Sequence, residues 1–363
     1  MPRDSIYLDH NATSPLRPEA KEAMMAAMGP ALNPSSIHDA GRKARMMVEG
    51  ARQQIATALG ARHADLTFTS GATESNNMVL AGYETIITST VEHSAILAPR
   101  PDGVRISVDE HGIIDLGALE TTLERLDEDA RASTLVSVIA ANNETGVIQP
   151  LAEIAAICKR YQVDCHSDMV QMAGKVDVDL AIDGLTFASF SAHKVGGPSG
   201  VGALWIKPGK TIPALLVGGG QEQGRRPGTE NVIGIIGFGA AMEAASHQQD
   251  SFAKIAQWRD AAEAELQNVR DDVTILGGGA LRVPNTSAIA LKKLPSNTAL
   301  MALDLKGFCL SSGSACSSGK VKSSHVVEAM GMHDLAPHIL RISAGWTTTQ
   351  DEFQKLVKAL ATL

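Results

Sequence analysis

Helical and β-rich runs alternate through the first two thirds of this chain, and that rhythm restricts the fold to helices packed on a mostly parallel sheet. Ala40 to Leu59 reads as a helix stopped by Gly60. Asp65 to Thr69 is then a strand, ending in Ser70-Gly-Ala-Thr-Glu-Ser-Asn-Asn77, where a helix starts. Further β-rich runs are Thr85 to Ser89, Ser133 to Ala140, Leu185 to Phe190 and Val201 to Ile206, with helical patterns such as Leu151 to Tyr161 between them. Beyond about Gly234 the rhythm changes. Long helical stretches, Ile235 to His247 and Phe252 to Val269, precede shorter elements: strands at Val273 to Leu276, Ser287 to Leu291 and Ile339 to Ser343, and a helix at Ser296 to Lys306. Thr349-Gln-Asp-Glu352 is a capping-box pattern that opens a last helix to about Leu360.

A chain of 363 residues exceeds the size at which one hydrophobic core usually stops growing, so two domains are expected. The change of rhythm puts their boundary near residue 250, giving units 1–250 and 251–363. Hydrophobic residues at 44% and charged residues at 20% give a globular balance that excludes disorder as the main description. Lys plus Arg is 32 against 40 Asp plus Glu, a net charge of −8, which argues against nucleic acid or an anionic membrane as the main partner. No apolar run is long enough to span a bilayer, and Met1 to Pro15 has no apolar signal core, so a cytoplasmic protein is expected. Four cysteines are too few for a disulfide framework, and their spacings form no CxxC pair, so no structural metal site is expected.

The segment richest in chemistry is Ser189-Phe-Ser-Ala-His-Lys-Val-Gly-Gly-Pro-Ser-Gly200, where Lys194 follows a strand beside Ser191, His193 and several glycines. A desolvated lysine there can form a Schiff base, while hydroxyl, imidazole and backbone N–H groups hold a phosphate; the plainer alternative is a surface lysine in a glycine turn. Asp168, just after a strand, could pair with a protonated pyridine nitrogen or simply cap a helix. Ser70 to Glu74 stands where strand gives way to helix, a place for a phosphate or an ordinary capped turn. His93 could lie flat on an aromatic cofactor or sit in a loop without function. Cys316, within Ser311-Ser-Gly-Ser-Ala-Cys-Ser-Ser-Gly319, has the small polar surroundings of an exposed thiol, whereas Cys158, Cys165 and Cys309 lie in helix or strand patterns. Arg341 offers a bidentate fork to a carboxylate, or else an ordinary ion pair.

Taken in order, these segments resemble the cysteine desulfurases, pyridoxal phosphate (PLP) enzymes of the class-V aminotransferase family, and most closely their NifS/IscS-like group I branch. The resemblance runs over nearly the whole chain. It is carried by Tyr7-Leu-Asp-His-Asn-Ala-Thr-Ser-Pro15, Asn33-Pro-Ser-Ser-Ile-His38, Thr69 to Ser75, Val91-Glu-His93, Asn142-Asn-Glu-Thr-Gly146, Asp168 to Gln171 and Ser191-Ala-His-Lys194. Downstream it continues through Gly218 to Glu222, Gly224 to Asn231, Arg282 to Asn285, Ser311 to Cys316 and Arg341.

The resemblance implies PLP fold type I. A large domain would hold a mostly parallel seven-stranded sheet between helices, and a smaller α+β C-terminal domain would carry the cysteine segment, with residues 1–15 able to pack on it. It further implies that Lys194 is the Schiff-base lysine, that Asp168 holds the pyridine nitrogen, that Gln171 bonds the ring oxygen and that His93 stacks on the ring. Ala72, Thr73, Ser191, Ala192 and His193 would hold the phosphate end, and Thr229 would reach the phosphate of the neighbouring subunit of a homodimer. Asn143 and Arg341 would orient cofactor and substrate, with Arg341 on the carboxylate of L-cysteine, and Cys316 would take the sulfur as a persulfide. Sulfur would then pass to an acceptor such as an iron–sulfur scaffold or a tRNA-thiolation relay, and Cys316 could transiently ligate a cluster. Selenocysteine lyases share this pattern, while class-V transaminases and plain C–S lyases lack a need for Cys316. Between Asn77 and Thr85, and between Ser94 and Arg105, the chain is shorter than is usual in the family, and the run from Ser317 to His325 is more basic.

Overall fold

Residues that alternate faces along the inner strands of the main sheet bury two surfaces at once, while the edge strand Val104–Ile106 leaves Val104 and Arg105 exposed. The computed structural model describes residues 5–313 and 323–363. In chain order its strands are β1 (Ile6–Tyr7), β2 (Leu66–Thr69), β3 (Thr85–Ser89), β4 (Val104–Ile106), β5 (Thr134–Ser137), β6 (Asp164–Asp168), β7 (Leu185–Ser191), β8 (Gly202–Ile206), β9 (Val273–Leu276), β10 (Thr286–Leu291), β11 (Phe308–Cys309) and β12 (Ile339–Ser343). Seven of them form one sheet in the order β2-β8-β7-β6-β5-β3-β4. Pairing from β7 through β6, β5 and β3 to β4 is parallel, and only β8 runs against its neighbours β7 and β2. The mostly parallel seven-stranded sheet implied by the resemblance is therefore present.

Consecutive residues serve opposite faces. Ile86, Leu135 and Phe187 join one buried cluster, whereas Ile87, Val136 and Ala188 join another. The second of these faces is covered in part by helix Asp39–Ala58, whose Val48, Ala51 and Ile55 recur at helical spacing, and by helix Val232–Ser246. These two helices approach closely at Gly239, where a Cβ would stand 2.8 Å from the Ala51 Cα. The helix read from Ile235 begins at Val232 instead, because Asn231 accepts a hydrogen bond from Gly234 N at 3.1 Å and caps it earlier. Helices Leu116–Glu124 and Glu128–Ala132, capped by Asp115 and Asp127, were not anticipated from the sequence. The two regions read as short carry helices of nine residues, Ala72–Leu80, and four, Ser94–Leu97.

A separate cluster forms around Phe252, Ile255, Leu340, Ile342, Phe353 and Leu356, on the antiparallel sheet β12-β10-β9. Leu8 belongs to it although it lies at the start of the chain, and β1 pairs in parallel with β11. The capping box read at Thr349 and Glu352 opens helix Gln350–Ala361. Among the described residues no helix is long and apolar enough to cross a membrane.

Where β8 passes the start of helix Ala72–Leu80, no side chain fits. A Cβ on Gly202 would stand 2.6 Å from the Gly71 Cα and 2.7 Å from the Phe190 carbonyl oxygen, both backbone atoms that cannot rotate away. Gly202→Ala is expected to cost about 1–3 kcal/mol of stability, as overpacking does, read as a lower denaturant midpoint with an unchanged slope. A midpoint equal to that of the unaltered chain would contradict this packing.

Candidate active site

The C-terminal ends of the parallel strands bring the sequence-marked residues to one edge, where loops of an open α/β sheet converge. Lys194 ends a single 3-10 turn, Ala192–Lys194, directly after β7. The turn is held by the N-terminal segment: Ser14 N donates to His193 O at 2.9 Å, Ser14 Oγ to Lys194 O at 3.0 Å and Arg17 Nε to Val195 O at 2.7 Å. Lys194 Nζ donates to the carbonyls of Asn11 and Ala12. Burial, helped by Arg341, pushes its pKa down to about 8, with Asp168 and Asp9 pulling the other way.

Asp168 is the last residue of β6 rather than the first after it, and it is buried. Its Oδ2 accepts from Asn76 Nδ2 at 2.8 Å and its Oδ1 from Val170 N at 3.1 Å. Both donors are neutral, and among the described residues no cationic side chain forms a salt bridge with this carboxylate. A buried carboxylate held directly by neutral donors is costly, so the arrangement suits a positively charged hydrogen-bond partner. Asn76 keeps a buried Oδ1 with no partner.

His93 caps the short helix Ser94–Leu97, its Nδ1 accepting from Ala95 N at 3.1 Å. That bond leaves the ring proton on Nε2. Burial lowers its pKa, opposed by Asp168 and reinforced by Lys194. Ala72 and Thr73 form the first turn of helix Ala72–Leu80, which no side chain caps, so its leading N–H groups are available to an anion. Ser191 is buried at the end of β7, and His193 Nδ1 lies 3.2 Å from Thr13 Oγ1, its pKa pushed down to about 4 by burial and then by Lys194 and Lys175.

Gln171 is buried, donating through Nε2 to Asn11 O at 3.1 Å and accepting through Oε1 from Lys175 Nζ at 2.6 Å. Asn143 presents its carbonyl to Arg341 Nη1 and to Asn11 Nδ2, each at 3.2 Å. Arg341, on β12, also pairs with Asp9 at 2.7 Å, and its buried Nε has no partner. The ordinary ion pair and the open donor therefore coexist on one guanidinium.

Thr229 is exposed, and the structure joins it to none of these side chains by a hydrogen bond among the described residues. Its loop is tied to the first turn of helix Ala72–Leu80 through Arg226, which pairs with Glu74 at 2.8 Å while Glu74 accepts from Ser70 N at 2.7 Å. Cys316 lies outside the described residues. Cys158 and Cys165 are buried, and Cys309, read as a core residue, is half-buried.

Several polar residues of the site went unnoticed in the sequence. Asn11 stands in the polar run Asp9 to Ser14 and bonds Thr286 Oγ1 at 2.8 Å, Asn285 Nδ2 at 3.1 Å and Lys175 Nζ at 3.1 Å. Asn76 had one available signal, its place four residues into a helix whose first turn was already marked. Glu92, fully buried beside His93, accepts through Oε1 from Ser89 Oγ at 2.6 Å and Ile139 N at 2.9 Å, while Oε2 has no partner.

Burial pushes the Glu92 carboxyl from an ordinary 4.5 up to about 8. Between those values the folded chain binds a proton that the unfolded chain has released, so this group's stabilisation is present below pH 4.5 and is lost as pH rises towards 8. Glu92→Gln keeps the acceptor for Ser89 and Ile139 but cannot ionise. Denaturant midpoints taken across this range should fall less with rising pH in Glu92→Gln than in the unaltered chain; parallel profiles would remove Glu92 as the cause.

A family model described as aminotransferase class-V matches residues 6–356. The "Cysteine desulfurase IscS" of Dictyoglomus turgidum is 39% identical over 373 residues, covering 98% of this chain and 93% of the relative. The crystal structure of a NifS-like protein from Rickettsia africae superposes with a TM-score of 0.92 at 36% identity, covering 99% of each chain. A structure titled "SspA in complex with cysteine" matches with a TM-score of 0.77 at 28% identity over 93% of this chain and 98% of that one. With the sheet order, the lysine after β7 and the carboxylate closing β6 in place, the chain belongs to the class-V aminotransferase family, in its cysteine desulfurase group.

Proposed function

We propose that this protein is a PLP-dependent cysteine desulfurase that converts L-cysteine to L-alanine and places the sulfur on Cys316. The observation that carries the reading is the buried, cation-free carboxylate of Asp168 gathered with a lysine amine whose pKa is depressed to about 8. The residues fit the cofactor. Asp168 would take its pyridine nitrogen, Gln171 its ring oxygen, His93 its ring face and Lys194 its aldehyde carbon. Ala72, Thr73, Ser191, Ala192 and His193 would hold its phosphate, with Thr229 doing so for the other subunit of a homodimer. When bound, this cofactor supplies an electron sink that acidifies the substrate Cα–H and weakens the carbon–sulfur bond.

The chain's own groups do the rest. Arg341 fixes the substrate carboxylate, and the Asn143 carbonyl holds its guanidinium at 3.2 Å. Lys194 Nζ takes the Cα proton, which a depressed amine pKa permits near neutral pH. His93 exchanges a proton with the substrate at Nε2, its Nδ1 being engaged by Ala95 N. The Cys316 thiolate then attacks the substrate sulfur: a sulfur–sulfur bond forms, the carbon–sulfur bond breaks with its electron pair left on the substrate's carbon skeleton, and protons returned to Cβ and Cα, the latter from Lys194, complete the alanine that leaves. The persulfide is passed in the cytoplasm to an acceptor protein such as an iron–sulfur scaffold. The same reading takes residues 1–250 as the cofactor-binding domain and 251–363 as the domain that carries Cys316.

With L-cysteine and a reductant, purified protein should release alanine and sulfide in equal amounts. Lys194→Ala should lose turnover by on the order of a thousandfold or more and lose the visible absorbance of the bound cofactor. Cys316→Ser should still bind L-cysteine yet form no protein-bound persulfide; sulfur found on another cysteine after one turnover would refute the assignment.

Sharing of sites between subunits has its own test. Thr229→Ala chains mixed with Lys194→Ala chains form heterodimers in which one pocket carries both defects and the other neither. Restored activity after verified subunit exchange is the expected result, and its absence counts against a shared site.

A further inference from the structure

Residues 314–322, Cys316 among them, run in sequence between two points that touch one buried carboxylate. On the N-terminal side Ser311 exchanges backbone hydrogen bonds with Arg341, Arg341 N donating to Ser311 O at 2.6 Å and Ser311 N to Arg341 O at 3.4 Å. Gly313 follows with φ +84°, so close to Glu144 that a Cβ there would stand 2.8 Å from Oε2. On the C-terminal side Ser324 Oγ donates to the same Oε2 at 2.5 Å and accepts from Val327 N at 3.2 Å, opening helix His325–Ala329. His325 Nε2 then meets the carbonyl of Glu92, next to His93, at 3.0 Å.

Glu144 is 2% exposed and sits in the loop that serves Arg341. Its N–H donates to Asn142 Oδ1 at 2.9 Å, and the adjacent Asn143 carbonyl receives the guanidinium at 3.2 Å. A carboxyl group buried for one serine hydroxyl is a poor source of stability, since removal from water costs more than such a bond returns. What it does supply is geometry. A segment tethered at both ends has its reach set by where those ends are fixed, and a misplacement of about 1 Å can cost about a hundredfold in rate.

We propose that Glu144 is a positioning residue for Cys316: by holding Ser324 against Gly313 it fixes both ends of the cysteine-bearing segment on the same loop that orients Arg341. The inference deepens the desulfurase reading and rests on Cys316 being the sulfur-accepting thiol. Glu144 touches no reacting atom; it sets where the nucleophile's chain starts and returns.

The test uses the cofactor-loaded dimer with Glu144→Ala, Glu144→Gln and Gly313→Ala. Two quantities are read: the affinity for the product L-alanine, from the change in cofactor absorbance, and the rate at which sulfur appears on Cys316 in a single turnover, by mass spectrometry. In Glu144→Ala and Gly313→Ala, alanine affinity should stay within about twofold while sulfur transfer slows by about tenfold or more. Glu144→Gln should recover most of the rate, because its amide oxygen still accepts from Ser324. Transfer at the unaltered rate in Glu144→Ala, or a parallel fall of alanine affinity and transfer, overturns the proposal. If Glu144→Ala does not fold, Gly313→Ala decides by the same split from the other end of the segment. An unaltered chain that turns over L-cysteine without sulfur on Cys316 refutes the desulfurase reading itself, and this inference with it.

Discussion

The site depends on a short polar stretch, residues 9–14, which follows Leu8 of the C-terminal cluster. Its hub is Asn11, whose carbonyl receives Lys194 and Gln171 while its side chain bonds Lys175, Asn285 and Thr286. One residue thus joins the turn after β7, the segment after β6 and the strand β10, from 160 to 275 positions away in the chain. Asp9 adds the ion pair to Arg341, and Ser14 holds the carbonyls of His193 and Lys194. A network of this kind either satisfies all its members or becomes a liability, because each buried group left alone costs about 1–3 kcal/mol.

Around that hub the protein disfavours the charged forms of ionisable groups by taking them out of water. Burial pushes His166 down to about 4 and His10 down to about 3, and lowers Lys175 well below the usual ammonium range, assisted by Lys194 and Arg341. Neutral His166 still bridges Ser137 and Ser189 at 2.8 and 2.9 Å, tying three strands at the edge where the site opens. Lys194 lies in the same field. Its lowered pKa follows from burial and from Arg341, so the guanidinium proposed for the substrate carboxylate also tunes the amine proposed to take the proton.

The alternation of strands and helices was legible because most strands are runs of apolar or β-branched residues bounded by turn formers, whereas the order of the strands in the sheet was not read from it. Lys194, Asp168 and His93 stood out through the resemblance, since locally each also fitted a plainer reading: a lysine in a glycine turn, a helix cap and a loop histidine. Asn11, Asn76, Glu92 and Glu144 did not. Each is an ordinary polar residue locally, and only tertiary approach makes it matter: Asn76 meets Asp168 from 92 positions away, and Ser324 meets Glu144 from 180. Helix starts shifted where a cap was overlooked, as at Asn231, since a single side-chain bond moves the first turn by three residues.

The seating of residues 8–10 against β12 has a consequence for synthesis. Ser343 N donates to Leu8 O at 2.8 Å, and His10 N donates to Ser343 O at 3.0 Å. On the ribosome the first of these residues emerges long before the last, so the bonds that fasten this segment to β12 cannot form until β12 has left the exit tunnel. The nascent sheet can assemble in sequence order, but its reactive edge stays unfinished. Chemistry on free cysteine is thereby deferred until translation has passed residue 343.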